Sequence, residues 1–330
     1  MFKNSAPSAS RVYMDSNAFF EQLTADVQKA KQSIRIQCMS FEADKVGTKL
    51  IELLGSKPTL ERILLIDDYS RHVVNDTFLH APQGWINKNN AREERKKLDP
   101  LIARAREMGI TVKFTSPVGF LMHRYPARNH KKIVLIDDDI SYLGGLNFTE
   151  HNFQWSDLMI RHTDPDIAAA LKTSFLADLE NKTAPTITEI NSDTTLYTLN
   201  GFKSKSAYEH LLEQIRASNK IVAISPYISY PMLDTIAAVP DNTVILPKTN
   251  NKPLIRFLHG LKRYSDINFK YVSGKMLHAK LLILNDEKVI YGSSNFDIIS
   301  YFFEKEIILV QKGDSLIQQL KTFTSQLINK

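Results

Sequence analysis

Two stretches decide how this chain folds: NHKKIVLIDDDISYLGGLNF, residues 129–148, and LHAKLLILNDEKVIYGSSNF, residues 277–296. They align without a gap. His130 with His278, Lys132 with Lys280, Gly144 with Gly292 and Asn147 with Asn295 all fall in register. Each copy carries an apolar run (IVLI or LLIL) that reads as a strand, an acidic turn (DDD or NDE), and a return strand ending in small residues.

Working outward, the likeness continues. Upstream of the first copy, NAFFEQLTADVQKAK places Phe19, Phe20, Leu23 and Val27 at helical spacing and feeds the β-rich SIRIQCMSF. VGTKLIELL then reads as a helix and RILLID as a strand buried on both faces. From Ala207 the order restarts with AYEHLLEQIRAS, KIVAIS, PMLDTIAAV and NTVILP. Downstream, SDLMIRH and KEIILVQ are matching strands, with Asp157 and Glu306 just before the apolar run. DIAAALKTSFLADLE and SLIQQLKTFTSQLI close the halves as helices. One α/β unit is therefore present twice. The expected division is a first lobe over 1–180, a polar linker over 181–200 and a second lobe over 201–330. The first lobe carries an insertion at about 69–108, whose basic part between Arg92 and Arg106 is expected to be a solvated helix.

The bulk composition narrows the field only partly. With 330 residues, 43% of them apolar, the chain can bury a large core. A net charge of +6 suits a phospholipid headgroup, an anionic membrane surface or nucleic acid without choosing among them. The single cysteine, Cys38, excludes an internal disulfide and a cysteine-based zinc site, and is expected to be a buried small apolar residue. No window approaches the ~20 apolar residues of a membrane-spanning helix, and MFKNSAPSAS lacks the apolar stretch of a signal peptide. The expectation is a cytoplasmic protein that reaches lipid, if at all, from the membrane surface.

Side chains alternate faces along a strand, so His130 and Lys132, and likewise His278 and Lys280, are expected to share a face. Phosphodiester exchange needs a nucleophile for phosphorus, an acid for the departing oxygen, and positive charge or donors around the non-bridging oxygens. Two such halves supply all of these. One neutral histidine attacks, the other protonates the leaving group and later deprotonates the acceptor. Lys132, Lys280, Asn147 and Asn295 stand where a metal ion otherwise would. No metal and no cofactor are expected. Gly145 and Ser293 are expected to let backbone approach the phosphate. Asp157 and Glu306 are expected to accept from the far nitrogen of a histidine, fixing its tautomer. One copy of the motif alone is a weak signal; two copies with the same downstream Gly, Asn and carboxylate are a strong one.

These residues resemble the phospholipase D superfamily, marked by paired His-x-Lys-x4-Asp motifs. The segments SIRIQCMSFEAD, RNHKKIVLID, GGLN with WSD, LHAKLLILND and GSSNFDIISYFFEKE are most similar to its bacterial cardiolipin synthase branch. The resemblance spans nearly the whole chain. It implies two lobes, each a mixed sheet flanked by helices, packed with pseudo-twofold symmetry around one shared site. It also implies a phosphohistidine intermediate and transfer of a phosphatidyl group to an alcohol such as the glycerol end of phosphatidylglycerol. His130 is then expected as nucleophile and His278 as acid and base, with the reverse open, and a monomer suffices because both motifs lie in one chain. Asp137 and its counterpart Asn285 are implied to be structural. Asn285 departs from the family's Asp, Ile299 from its Arg, and Glu304 from its Asn. The rival readings are a nuclease of the same superfamily and an inactive lipid- or nucleic-acid-binding module.

The remaining residues carry weaker expectations. Trp155 lines the pocket or packs beside it. The PVGFLM run is expected to be core or lid packing, ahead of an interfacial loop, and Arg128, with Arg124 a weaker case, to contact phosphate. His72, His80, His123, His151, His162, His210 and His259 lack metal-ligand spacing and are expected at the surface or in structural roles. KTNNKP is expected to be a turn and the YFF run core.

Overall fold

The structure is a computed structural model that describes residues 10–75, 77–79, 88–249 and 252–328. His80 and part of the KTNNKP turn lie outside the described residues. Two large mixed sheets dominate. The first runs, in spatial order, Ser10–Tyr13, Met159–His162, Ile140–Gly144, Ile133–Ile136, Ser33–Cys38, Glu61–Asp67, Thr111–Thr115. The second runs Thr186–Asn191, Thr194–Asn200, Lys305–Lys312, Lys288–Gly292, Leu281–Leu284, Lys220–Ile224, Asp241–Pro247, Asn268–Val272. From the Met159–His162 and Lys305–Lys312 strands onward the two orders are the same, so the repeat read in the sequence is a repeat of sheet topology. In each sheet the three strands at the far end are mutually parallel and the others antiparallel.

Period-2 alternation sets the layers. Val134 and Ile136 face the outer core of the first lobe, and Ile133 and Leu135 face a middle layer. Leu281 and Ile283 enter that same middle layer from the other sheet, while Leu282 and Leu284 face the second lobe's outer core. The two sheets therefore pack through a shared apolar layer, joined by Ile167, Leu171 and Phe175 of the helix Pro165–Leu179 and by Leu316, Ile317 and Leu320 of the helix Asp314–Ile328. Both faces of the central strands are dry, which is why their sequences are unbroken apolar runs.

Two expectations change. Most of the stretch 181–200 is sheet, not linker: Thr194–Asn200 pairs with Lys305–Lys312 over seven positions, and Thr186–Asn191 adds the edge strand. Polar Thr and Asn residues serve there because the edge strand is largely exposed. The basic part of the insertion does form a helix, Lys88–Glu107, but it is not solvated all round. Leu98, Leu101, Ile102 and Ala105 lie at helical spacing on one face and enter the first lobe's core. The second lobe has the short helix Pro253–His259 in the equivalent connection. Cys38 is buried as expected.

Asp137 and Asn285 sit in the turns after the two apolar strands, both with φ of 51°, a left-handed conformation that Asp and Asn tolerate best among non-glycine residues. The Asp137 carboxylate accepts from the backbone N–H of Lys31, Gln32 and Ser33 at 2.6, 2.7 and 2.9 Å. Asn285 Oδ1 accepts from Asn219 and Lys220 at 2.9 and 3.0 Å. Each ties its turn to the chain entering the neighbouring strand, and only acceptor oxygen is required. Asn285→Asp is accordingly expected to leave activity and melting temperature nearly unchanged, whereas Asn285→Ala, losing both acceptor bonds, is expected to cost about 1–3 kcal/mol, read by thermal unfolding.

Candidate active site

The antiparallel register brings every motif residue to one edge. Ile133 pairs with Gln37 near the carboxyl end of Ser33–Cys38, and with Leu143 just before Gly144; Gly144 in turn pairs with Met159. The segment before Ile133, the turn after Gly144 and the residue before Leu158 therefore converge where the parallel strands end, the usual place for a ligand in an α/β sheet. His130 and Lys132 lie just upstream of the strand instead of within it, and so do His278 and Lys280. They are placed by pairing between the lobes. The His130 N–H donates to Lys305 O at 2.9 Å and the His278 N–H to Ser156 O at 2.7 Å, with Lys305 N to Arg128 O and Ser156 N to Met276 O completing two equivalent bridges.

Both histidines line one cavity of about 300 Å³, with Asn147, Asn295, Trp155, Tyr227, Lys252 and Glu304 among its walls. The carboxylates act crosswise. Asp157 of the first lobe meets Nδ1 of His278 at 2.6 Å, and Glu306 of the second lobe meets Nδ1 of His130 at 2.9 Å. With Nδ1 donating to a carboxylate, His130 keeps its Nε2 lone pair for chemistry, whereas Nε2 of His278 has an ammonium neighbour in Lys280. Asn147 Oδ1 accepts from Ser40 N at 3.0 Å, which leaves its amide N–H groups to donate. Lys132 and Lys280 are buried behind the cavity wall. Lys132 Nζ donates to His130 O at 2.6 Å, and Lys280 Nζ lies 3.2 Å from His278 Nε2 and 3.7 Å from Asp157.

Burial, then Lys132, hold the His130 imidazole down at about 3; burial, then Lys280, hold His278 at about 4. Both rings are thus neutral at pH 7, as a nucleophile must be, and a ring serving as acid would need a bound anion to offset the lysines before it took up a proton. Burial also lowers Lys280 to about 7 and shifts Lys132 downward, while Asp157 stays below the usual carboxylate range because Lys280 and His278 outweigh its desolvation. His130, Glu304 and Glu306 bring three donor atoms within 4.8 Å, a spacing that suits a divalent ion. Those donors are engaged already: Glu306 binds His130 and Ser293, and Ser300 Oγ lies 3.0 Å from Glu304 and 2.9 Å from Glu306. Lys132, and Lys280 in its protonated fraction, supply the local positive charge.

Several residues hold different posts from those expected. Ser293 donates to Glu306 and accepts from Ile307 N at 3.0 Å, so it orients the carboxylate and does not face the cavity. At Gly145 a Cβ would stand 2.3 Å from Asp157 Oδ1 and 2.9 Å from Lys280 Nζ, so its absence makes room for that pair. Arg128 is spent on buried Asp67 at 2.9 Å; Asp67 also accepts from Asn129 N at 2.6 Å, anchoring the segment that carries His130. Trp155 packs on His278 with ring centroids 4.8 Å apart, and His151 packs on Trp155 at 4.6 Å, a role absent from its sequence neighbourhood. Glu304, noticed only as a departure, is the one carboxyl lining the cavity among the described residues. Within the YFF run, Tyr301 is buried but Phe303 is exposed, and Phe120 and Leu121 of the PVGFLM run are exposed instead of packed.

A family model described as cardiolipin synthase, PLD-like domain, matches residues 23–179 and 211–328. The chain belongs to this family. It is a phospholipase D-type enzyme with both copies of the unit in one polypeptide. Among relatives of the cardiolipin synthase family, minor cardiolipin synthase ClsB of Bacillus subtilis is 27% identical over 315 residues, covering 87% of this chain and 73% of the relative. Cardiolipin synthase A of Salmonella arizonae is 27% identical over 332 residues, covering 90% of this chain and 64% of its own length. The crystal structure of phosphatidylserine synthase from Haemophilus influenzae matches with a TM-score of 0.71 at 13% identity over 97% of this chain and 86% of that one, which speaks for the fold.

Proposed function

We propose that the chain is a cardiolipin synthase-like phosphatidyltransferase working through a covalent phosphohistidine without a metal ion. The observation that carries this reading is that His130 and His278 line one cavity with opposed carboxylates behind them. His130 Nε2 attacks the phosphorus of a phosphatidyl donor. A P–N bond forms as the P–O bond to the departing alcohol breaks, and His278 gives that oxygen its proton. The acceptor alcohol then enters, passes its proton to His278, and its oxygen displaces His130 from phosphorus. Asn147 and Asn295 donate to the non-bridging oxygens, and Lys132 and Lys280 offset their charge from behind. The substrate would be met at an anionic membrane surface, and both histidines in one chain let a monomer act.

The test is incubation with phosphatidylglycerol plus ethanol, with and without EDTA. Cardiolipin and phosphatidylethanol should form equally in both. A requirement for a divalent ion would remove the metal-free mechanism. Cleavage of labelled DNA with no lipid product would assign the site to a nuclease, and no turnover of either would assign it to a binding module.

A further inference from the structure

Four side chains stand out on segments that adjoin the cavity. Phe120 and Leu121 are 83% and 84% exposed, and Leu254 and Phe257 are 69% and 67% exposed, the four most exposed large apolar residues among those described. Both pairs lie in segments that leave the carboxyl ends of parallel strands, Thr111–Thr115 and Asp241–Pro247. Both segments reach the cavity. Tyr125 packs on Tyr69, a lining residue, with centroids 6.2 Å apart, and Lys252, immediately before the helix Pro253–His259, is itself a lining residue.

The first pair is held out by an ordered turn. Met122 N donates to Gly119 O at 3.1 Å, Arg124 N to Val118 O at 3.0 Å and Tyr125 N to Met122 O at 2.9 Å. Leu121 and Met122 take φ of 52° and 58°, which costs strain for residues with side chains. That strain is spent on a conformation that buries neither Phe120 nor Leu121. Leu254 and Phe257, three apart, share one helix face. Around them the charge is one-sided: residues 248–275 hold seven Lys or Arg against the single acid Asp266, and residues 116–127 hold Arg124 and no acid. Exposed apolar tips in a cationic surround suit an anionic lipid surface.

We propose that these two tips dock the catalytic mouth onto an anionic phospholipid bilayer, inserting Phe120, Leu121, Leu254 and Phe257 among the headgroups so that the cavity opens against the membrane. The inference rests on the phospholipid reading above and adds where the lipid is met. In cosedimentation with vesicles of phosphatidylcholine alone or mixed with phosphatidylglycerol, the protein should prefer the mixed vesicles. The variant F120S/L121S/L254S/F257S should bind them at least about tenfold more weakly with an unchanged melting temperature. It should lose turnover on vesicles in proportion while keeping it on monomeric short-chain phosphatidylglycerol. The variant K248E/R256E/K262E should lose the preference for anionic vesicles. Undiminished vesicle binding by both variants would overturn the proposal, as would a self-association of the parent, seen by sedimentation, that the serine variant abolishes. Tip-dependent vesicle binding by a protein that turns over no lipid would leave the docking intact and remove the transferase reading.

Discussion

Substituting either His130 or His278 by Ala is expected to lower phospholipid turnover by about 10⁴-fold or more, and the double variant to be hardly worse than the poorer single. The reason lies in the shared cavity: both rings line the same 300 Å³ space, and each carries a step the other cannot perform at the same moment. Losses by groups that act as a unit do not add. An acid-quenched adduct separates the roles. With a donor whose leaving group needs no protonation, such as a nitrophenyl ester, H278A should still accumulate a labelled phosphoenzyme, because the nucleophile is intact and the base for the second step is missing. H130A should form none. An adduct in H130A and none in H278A would reverse the two roles. Substantial turnover by both single variants would mean that the rings do not serve one phosphorus atom.

The sequence carried the architecture because the two halves repeat signals that depend on local geometry alone. The runs at 133–136 and 281–284 are apolar on both faces since both faces of those strands are buried, and the offset repeat of His, Lys, Gly and Asn needed no fold to be seen. The site was legible as a set of residues but not as a wiring. Nothing in the spacing of Asp157 says that it crosses to His278 of the other lobe; that follows from the Ser156 and Leu277 backbone bridge, which exists only once the sheets pack. Arg128 looked like a phosphate ligand because its partner, Asp67, lies 61 residues away at the end of another strand. The Phe120 turn was misjudged for a different reason. Apolar residues are usually inside, and an outward-facing pair becomes visible only when the backbone around it takes left-handed angles that hold it there.

The crosswise carboxylates lead to the second large effect. Glu306→Gln and Asp157→Asn are each expected to lower turnover by about 10²-fold or more, since an amide can donate as well as accept and no longer enforces the tautomer with its proton on Nδ1. What distinguishes them is which half-reaction suffers. Glu306 contacts His130 at 2.9 Å, so E306Q should slow formation of the labelled adduct from the activated donor, as H130A does. Asp157 contacts His278 at 2.6 Å, so D157N should form the adduct and then fail to pass it to the alcohol, as H278A does. Function would then sort by distance across the pseudo-dyad and against chain order, each lobe's carboxylate reporting on the other lobe's histidine. Melting temperatures of both variants should be checked alongside, because Glu306 also holds Ser293 and Ser300, whereas Asp157 is held by Leu158 N at 2.8 Å. If D157N instead blocked adduct formation while E306Q permitted it, with H130A still the histidine variant that forms none, the pairing across the lobes would be wrong, and each histidine would be oriented from within its own half.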